Sequence, residues 1–220
     1  MFHAFLDESG TNPETPVLSV GGFYGSPEEW ETFRNLWKPR SEGFHAKDST
    51  RLFPDLCSAI EKSKVNGVLL TIGKRAYKAF ATDHLKTALG NPYSICAFLC
   101  AITICKRVNS EPVSIVLEEG QPNLSFVKSI LEGMMVHESE WSIAAVEIAK
   151  KSDFLELHTA DFLSHIASSR DVTWMRRLFD ADRLMHGHVT EQMLREASPQ
   201  VTKLFHRARA ARRQANKQTS

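Results

Sequence analysis

The sequence predicts an α/β domain in which a mixed β-sheet carries helices packed on it. Short β-rich apolar runs at residues 2–6, 16–24, 65–72, 113–118 and 142–149 are interleaved with longer stretches of helical periodicity. The first two runs are joined only by a turn and form a hairpin, whereas the later ones are separated by helices, so the sheet is mixed. The 220 residues, 42% of them hydrophobic, suffice for one domain that buries about 70% of its unfolded surface without disulfides or a structural metal.

Phe2-His3-Ala4-Phe5-Leu6 reads as a buried strand running into Asp7-Glu8-Ser9-Gly10, where a turn through Thr11-Asn12-Pro13 ends it. Two acids are thereby set where a core strand meets solvent. A carboxylate buried in a sheet is costly unless paired, so this position either holds a cation or merely opens an Asx turn at Asp7. Residues 16–24 form the second strand, and Gly21-Gly22 marks a bulge or a close backbone approach. Ser26-Pro27-Glu28-Glu29 is a helix start, with a serine cap, proline at the first helical position and glutamate three residues after the cap. Trp30, Phe33, Leu36 and Trp37 follow at helical spacing as core positions, and Pro39 stops the helix.

Phe44-His45-Ala46-Lys47-Asp48 is a short polar insertion whose His-x-x-Asp spacing lets two side chains meet one cation if the segment turns. A helix over 52–64 and the third strand at 65–72 come next. Helical pattern resumes near Asp83, breaks at Gly90-Asn91-Pro92, and continues from Tyr93 to Val108 with apolar residues around nearly its whole circumference, which marks the central helix on the sheet. Residues 113–118 form a strand ending in Glu118-Glu119-Gly120, the second strand to end in acids. Side chains alternate along a strand, so only one of Glu118 and Glu119 can share a face with Asp7. A helix over 122–137, a strand at 142–149 and a helix over 154–168 complete this part.

On that last helix His158, Asp161 and His165 fall within one narrow sector. The sector faces either solvent or the acidic rim of the sheet, where it would complete a metal site. From Thr173 onward the pattern is helical and amphipathic in places, with His186-Gly187-His188 read as a turn. There is no internal repeat, glycine-rich phosphate loop or nucleophile elbow, which disfavours a phosphotransferase.

Nothing at the N-terminus resembles a signal peptide, since Asp7 and Glu8 interrupt the apolar run, and the run from Ile95 to Cys105 is too short to span a bilayer. The expectation is an intracellular, cytoplasmic protein. Cys57, Cys96, Cys100 and Cys105 lack zinc-site spacing and read as reduced core residues. The net charge of +1 hides an asymmetry: six of the 27 basic residues lie from Pro199 onward with no acid, leaving 21 basic against 26 acidic residues in the body. Residues 1–198 are accordingly read as the domain with a helical extension, and 199–220 as a basic tail. Such a tail is either a solvated helix end or a contact for a polyanion such as nucleic acid.

Carboxylates from two strand ends and a late helix could gather at one sheet edge, where their repulsion raises pKa values and divalent cations relieve it. An oxygen-only ligand set selects Mg²⁺ or Mn²⁺ over zinc and suits phosphodiester hydrolysis.

These motifs, in this order, resemble the ribonuclease-H-like proteins catalogued as domain of unknown function 3800. Asp7-Glu8-Ser9-Gly10 is similar to the family's opening strand end, and Phe44-His45-Ala46-Lys47-Asp48 to its Phe-His-x-x-Asp/Glu segment. Leu117-Glu118-Glu119-Gly120 is similar to its acid-x-Gly strand end, which favours Glu118 over Glu119. Thr159-Ala160-Asp161-Phe162-Leu163 is similar to its late-helix Ala-Asp-Phe-Leu motif. The resemblance spans nearly the whole chain to about Ser169. It implies a ribonuclease-H-like sheet with helices packed on it and a metal-dependent nuclease site. Asp7, Glu118 and Asp161 would be the catalytic metal ligands and Asp48 a fourth, with Glu8 and His45 in support; His158 and His165 are supporting candidates from the helix sector alone. The chain departs from the family at His158-Thr159, where a Gln-Ala-type pair is usual. Lys47, Arg207, Arg209, Arg212 and Arg213 are the expected nucleic-acid contacts. The competing expectation is a non-catalytic nucleic-acid or partner-binding module of a defence or mobile-element system.

Overall fold

The computed structural model describes residues 1–12, 14–37, 43–83, 85–86, 90–109, 111–120, 124–137, 142–169 and 171–196. The basic segment 199–220, with Arg207, Arg209, Arg212 and Arg213, lies outside the described residues. Among the described residues six strands form one mixed sheet: β1 (Phe2–Ser9), β2 (Val17–Gly25), β3 (Asn66–Gly73), β4 (Val113–Glu118), β5 (Ile143–Ala149) and β6 (Leu184–Val189). Their order across the sheet is β5-β4-β1-β2-β3-β6. β2 runs antiparallel to both its neighbours, and every other pairing is parallel. The α/β class with a mixed sheet is therefore as expected, including the opening hairpin.

Strand alternation divides the core in two. Ala4 and Leu6 of β1, with Ile115 and Leu117 of β4, face the helices α4 (Pro92–Arg107) and α5 (Leu124–His137). Phe5 and Val116 face the other side, where α1 (Pro27–Trp37), α2 (Phe53–Ser63) and α6 (Leu157–Ser169) pack. α4 is buried on most of its circumference, as its sequence requires. All four cysteines are free and buried. Burial pushes the Cys57 thiol up to about 12, which keeps it protonated. No helix among the described residues is long and apolar enough to cross a membrane.

Two local features fix how closely these layers meet. At the start of α1 the Ser26 N–H donates to Glu29 Oε2 (2.7 Å) and the Glu29 N–H donates to Ser26 Oγ (3.3 Å), a reciprocal capping box. The Gly21-Gly22 pair is a close approach rather than a bulge, since the β1–β2 register runs through it without a shift. A Cβ on Gly22 would lie 1.8 Å from the Phe5 carbonyl oxygen, and one on Gly21 would lie 3.1 Å from Leu163 Cγ of α6. Gly21 thus lets α6 settle on the sheet beside Asp7, its register partner.

The structure corrects three expectations. β1 does not end at Leu6 but runs through Asp7 and Glu8 to Ser9, so both acids are strand residues, and Gly10 makes the turn at φ +81°. His186-Gly187-His188 is not a turn but the middle of β6, an outer strand parallel to β3. One face of an outer strand stays wet, which is why its polar residues masked it. The region after Thr173 therefore holds a strand between two helices, α7 (Val172–Asp180) and α8 (Glu191–Glu196). A short helix, α3 (Lys74–Phe80), also follows β3 directly, where no element was expected.

Candidate functional site

The β1–β4 register pairs Leu6 with Leu117, so the next residues, Asp7 and Glu118, lie side by side at the same end of two parallel strands. Asp7 shares the face of Phe5, and Glu118 that of Val116, which is the face α6 covers. α6 docks over this edge, its Ser164 hydroxyl donating to the Asp7 carbonyl oxygen (3.0 Å). One turn back along α6, Asp161 faces the same edge. Three of the four predicted acids thus come together from three elements, and the sector of α6 faces the acidic rim rather than solvent. Glu119 is exposed, as alternation requires.

The centre of the cluster is a residue that sequence reasoning missed. Lys151, in the turn between β5 and α6, places its Nζ 3.2 Å from Glu118 Oε1 and 2.9 Å from Asp161 Oδ2. Asp153 shapes that turn, accepting from the Lys150 N–H (3.2 Å) and from the Ser152 hydroxyl (3.1 Å). A lysine in a polar turn carries no motif, so nothing in the sequence distinguished it.

Charge crowding sets the protonation of the cluster. Burial raises the Asp7 carboxyl well above the usual range, and Glu8, Glu118 and Asp161 raise it further, with Lys151 opposing. Glu118 is also raised by burial, held back by Lys151 and by the neighbouring Asp7 carboxyl. Burial works against the Lys151 ammonium, yet Asp161, Glu118 and Asp7 outweigh it and shift Lys151 upward. Glu8 points to the opposite face of the sheet. There burial, followed by the Glu8 charge, pushes the Tyr93 phenol up. Glu8 is therefore a neighbour of Asp7 along the strand, not a member of the cluster.

The Phe44–Asp48 segment packs over α6. Phe44 stacks on His158 (5.0 Å, 29° between planes) and meets Trp37 edge-on (5.5 Å, 84°). Trp37 Nε1–H donates to His158 Nδ1 (3.1 Å), so the neutral ring carries its proton on Nε2. Burial, then the Lys151 charge, push His158 down to about 4, and it is neutral at pH 7. His158 is thus a packing partner that anchors the segment. The next residue but one after Phe44, Ala46, donates its N–H to Asp161 Oδ2 (2.8 Å), which orients that carboxylate. The remaining expected residues stay outside. Asp48 and His45 have side chains 78% and 56% exposed and meet each other at 4.0 Å. Lys47 is exposed on the same turn. His165 lies edge-on to Phe53 with ring centroids 5.9 Å apart.

The cluster suits a divalent cation in its chemistry but not in its spacing. Its three carboxylates offer oxygen ligands alone, which suits Mg²⁺ or Mn²⁺ and not zinc. Glu118 Oε2 is buried with no hydrogen-bond partner among the described residues, an oxygen that a cation would satisfy. Among the described residues no group of three or more His, Cys, Asp or Glu side chains is already spaced as a metal site, and the place between Glu118 and Asp161 is taken by the Lys151 ammonium. The donor chemistry fits; the spacing is that of an ion-pair cluster.

No family model matches the chain, and no curated protein matches it. Three solved structures are similar in shape. The ribonuclease HII of Archaeoglobus fulgidus, from its complex with PCNA, is 17% identical, with 90% of this chain and 86% of that chain covered and a TM-score of 0.48. The ribonuclease H2 of Pyrococcus horikoshii OT3 is 13% identical, with 81% and 77% covered and a TM-score of 0.47. Bst ribonuclease HIII, in complex with Mn²⁺, is 16% identical, with 93% and 69% covered and a TM-score of 0.49.

Proposed function

We propose that the chain is a metal-dependent nuclease of the ribonuclease-H-like kind, hydrolysing phosphodiester bonds of nucleic acid with Mg²⁺ or Mn²⁺. One observation carries this reading: Asp7, Glu118 and Asp161, the acids of three separate motifs, crowd together at one sheet edge, where the Lys151 ammonium pairs with Glu118 and Asp161. Motifs scattered over 155 residues have no structural need to converge, and three buried carboxylates are costly to keep together unless the site uses them. The same convergence supports the resemblance to the family catalogued as domain of unknown function 3800.

In this reading Asp7, Glu118 and Asp161 hold the cation, with Asp161 oriented by the Ala46 N–H. A divalent cation, when bound, supplies charge that activates a water and stabilises the leaving oxygen. Asp48 is the fourth carboxylate of this reading, joining by rotation of its own exposed side chain, with His45 beside it on the turn. Lys47, exposed on that turn, and the arginines at 207, 209, 212 and 213 grip phosphates. The stacked Trp37, Phe44 and His158 keep the turn in place over Asp161.

The Lys151 ion pairs favour a second reading, a nucleic-acid or partner-binding module without catalysis, in which the lysine balances the acids permanently. Purified protein incubated with Mn²⁺ or Mg²⁺ and with labelled single- and double-stranded DNA, RNA and RNA–DNA hybrid separates the two. Cleavage that Asp7→Asn abolishes, with the fold intact by circular dichroism, supports the nuclease. Absence of cleavage on every substrate, or an Asp7→Asn variant as active as wild type, sinks it.

A further inference from the structure

Lys151 and a divalent cation cannot occupy the site together. A cation bound by Glu118 and Asp161 would sit about 2.0–2.6 Å from their oxygens, whereas the Lys151 Nζ stands 3.2 Å from Glu118 Oε1 and 2.9 Å from Asp161 Oδ2, between the same two side chains. Two positive centres between the same two side chains repel strongly, and both draw on the Glu118 and Asp161 carboxylates. Lys151 is also free to leave. It comes from the turn at 150–153 rather than from a strand or helix, its side chain is 18% exposed, and four rotatable carbons separate the ammonium from the backbone.

Resting on the nuclease reading above, we propose that Lys151 is an internal competitor for the metal. With no divalent ion bound, its ammonium holds Glu118 and Asp161 together and offsets the repulsion of the three acids. When a divalent ion enters, the ammonium swings out. Lys151 therefore sets the metal concentration at which the site loads. A lysine that supported the metal would instead stand behind a carboxylate and bridge one oxygen from outside, whereas here it contacts two acids of the set and takes the central position.

The test is a Mn²⁺ titration of wild type and Lys151→Met, read by electron paramagnetic resonance of free Mn²⁺, without any activity measurement. Removing the competitor is expected to tighten Mn²⁺ binding roughly tenfold, within the usual range of coupling between two ligands of one site. Metal-free Lys151→Met is also expected to melt below wild type and to recover more on adding Mn²⁺. Equal or weaker Mn²⁺ binding by Lys151→Met overturns the competitor while leaving the metal site standing. Failure of both proteins to bind millimolar Mn²⁺ overturns the metal reading itself, and this inference with it. Should Lys151→Met not fold, the wild type serves: reductive methylation of Lys151, followed by mass spectrometry, is expected to speed up severalfold when Mg²⁺ is added. An unchanged or slower rate overturns the proposal.

Discussion

Replacing Asp161 by alanine probes the joint between the Phe44–Asp48 segment and α6. Asp161 Oδ2 accepts from the Ala46 N–H at 2.8 Å and from Lys151 at 2.9 Å. Ala46 is fully buried, so the variant leaves its N–H without water or partner. A hydrogen bond to a charged acceptor is worth about 1.5–3 kcal/mol, and its loss on the buried side is felt in full. Lys151 keeps its ion pair with Glu118 at 3.2 Å, so its charge stays partnered and the cost on that side is the smaller one. Against this, removing one negative charge relieves Asp7 and Glu118, both of which Asp161 pushes upward. The net loss is about 2 kcal/mol, or roughly 4–8 °C in Tm for a domain of this size. Urea denaturation followed by tryptophan fluorescence is the assay. Asp161→Asn, whose amide oxygen can still accept from Ala46, is expected to lose about half as much. A change within about 0.5 kcal/mol for Asp161→Ala would mean that the segment does not depend on Asp161, and the orientation argument would fail.

Asp7→Asn has the opposite expected sign without metal. Because the folded protein holds the Asp7 proton more tightly than the unfolded chain, wild-type stability falls as pH rises above the ordinary value of 3.8 toward the raised folded value, and Glu118 acts in the same direction. The asparagine variant removes the Asp7 part, so it should resist urea better than wild type at pH 7 and show a flatter pH profile; a less stable variant at pH 7 contradicts the charge-crowding account. His158 acts in the reverse sense: its folded value of about 4 lies below 6.5, so its stabilisation is present above pH 6.5 and is lost as pH falls toward 4. In the Asp7→Asn background Glu118 still opposes it, so the His158 part is read by difference: adding His158→Gln should lessen the loss of stability on acidification over that window, and an identical slope in the glutamine variant would refute it. Gly22→Ala, whose Cβ would lie 1.8 Å from the Phe5 carbonyl oxygen, must push β1 from β2 and is expected to cost about 3 kcal/mol or more, which soluble yield and Tm report. A variant as stable as wild type would show that the strands can part at little cost.

Much of this architecture was legible because local and global signals agree. The capping box at Ser26 and Glu29, the β-rich run at 113–118 and the all-round apolar helix at 92–107 each had one structural solution. Alternation allowed a strand to give the site only one of two adjacent side chains, and the likeness to an acid-x-Gly strand end picked Glu118 over Glu119. Helical spacing put Asp161 on the sector that meets Asp7 and Glu118. Other features depended on contacts that no local pattern records. Asp7 and Glu8 looked like a strand end because acids are rare inside core strands, yet β1 carries both. β6 was hidden by its histidines, and α3 by its brevity. His158 acquires its role from Trp37, 121 residues away, and Lys151 from two acids on different elements. Asp48 shows the reverse: the His-x-x-Asp spacing was visible, but the turn points both side chains outward.

The most direct test of the central claim is a crystal structure of the protein soaked in Mn²⁺, with the anomalous signal recorded at the manganese edge. The account predicts a manganese peak within about 2.0–2.6 Å of carboxylate oxygens from Asp7, Glu118 and Asp161, with the Lys151 ammonium moved from its present position. A map with no peak at these three acids, and Lys151 still bridging Glu118 and Asp161, would contradict it.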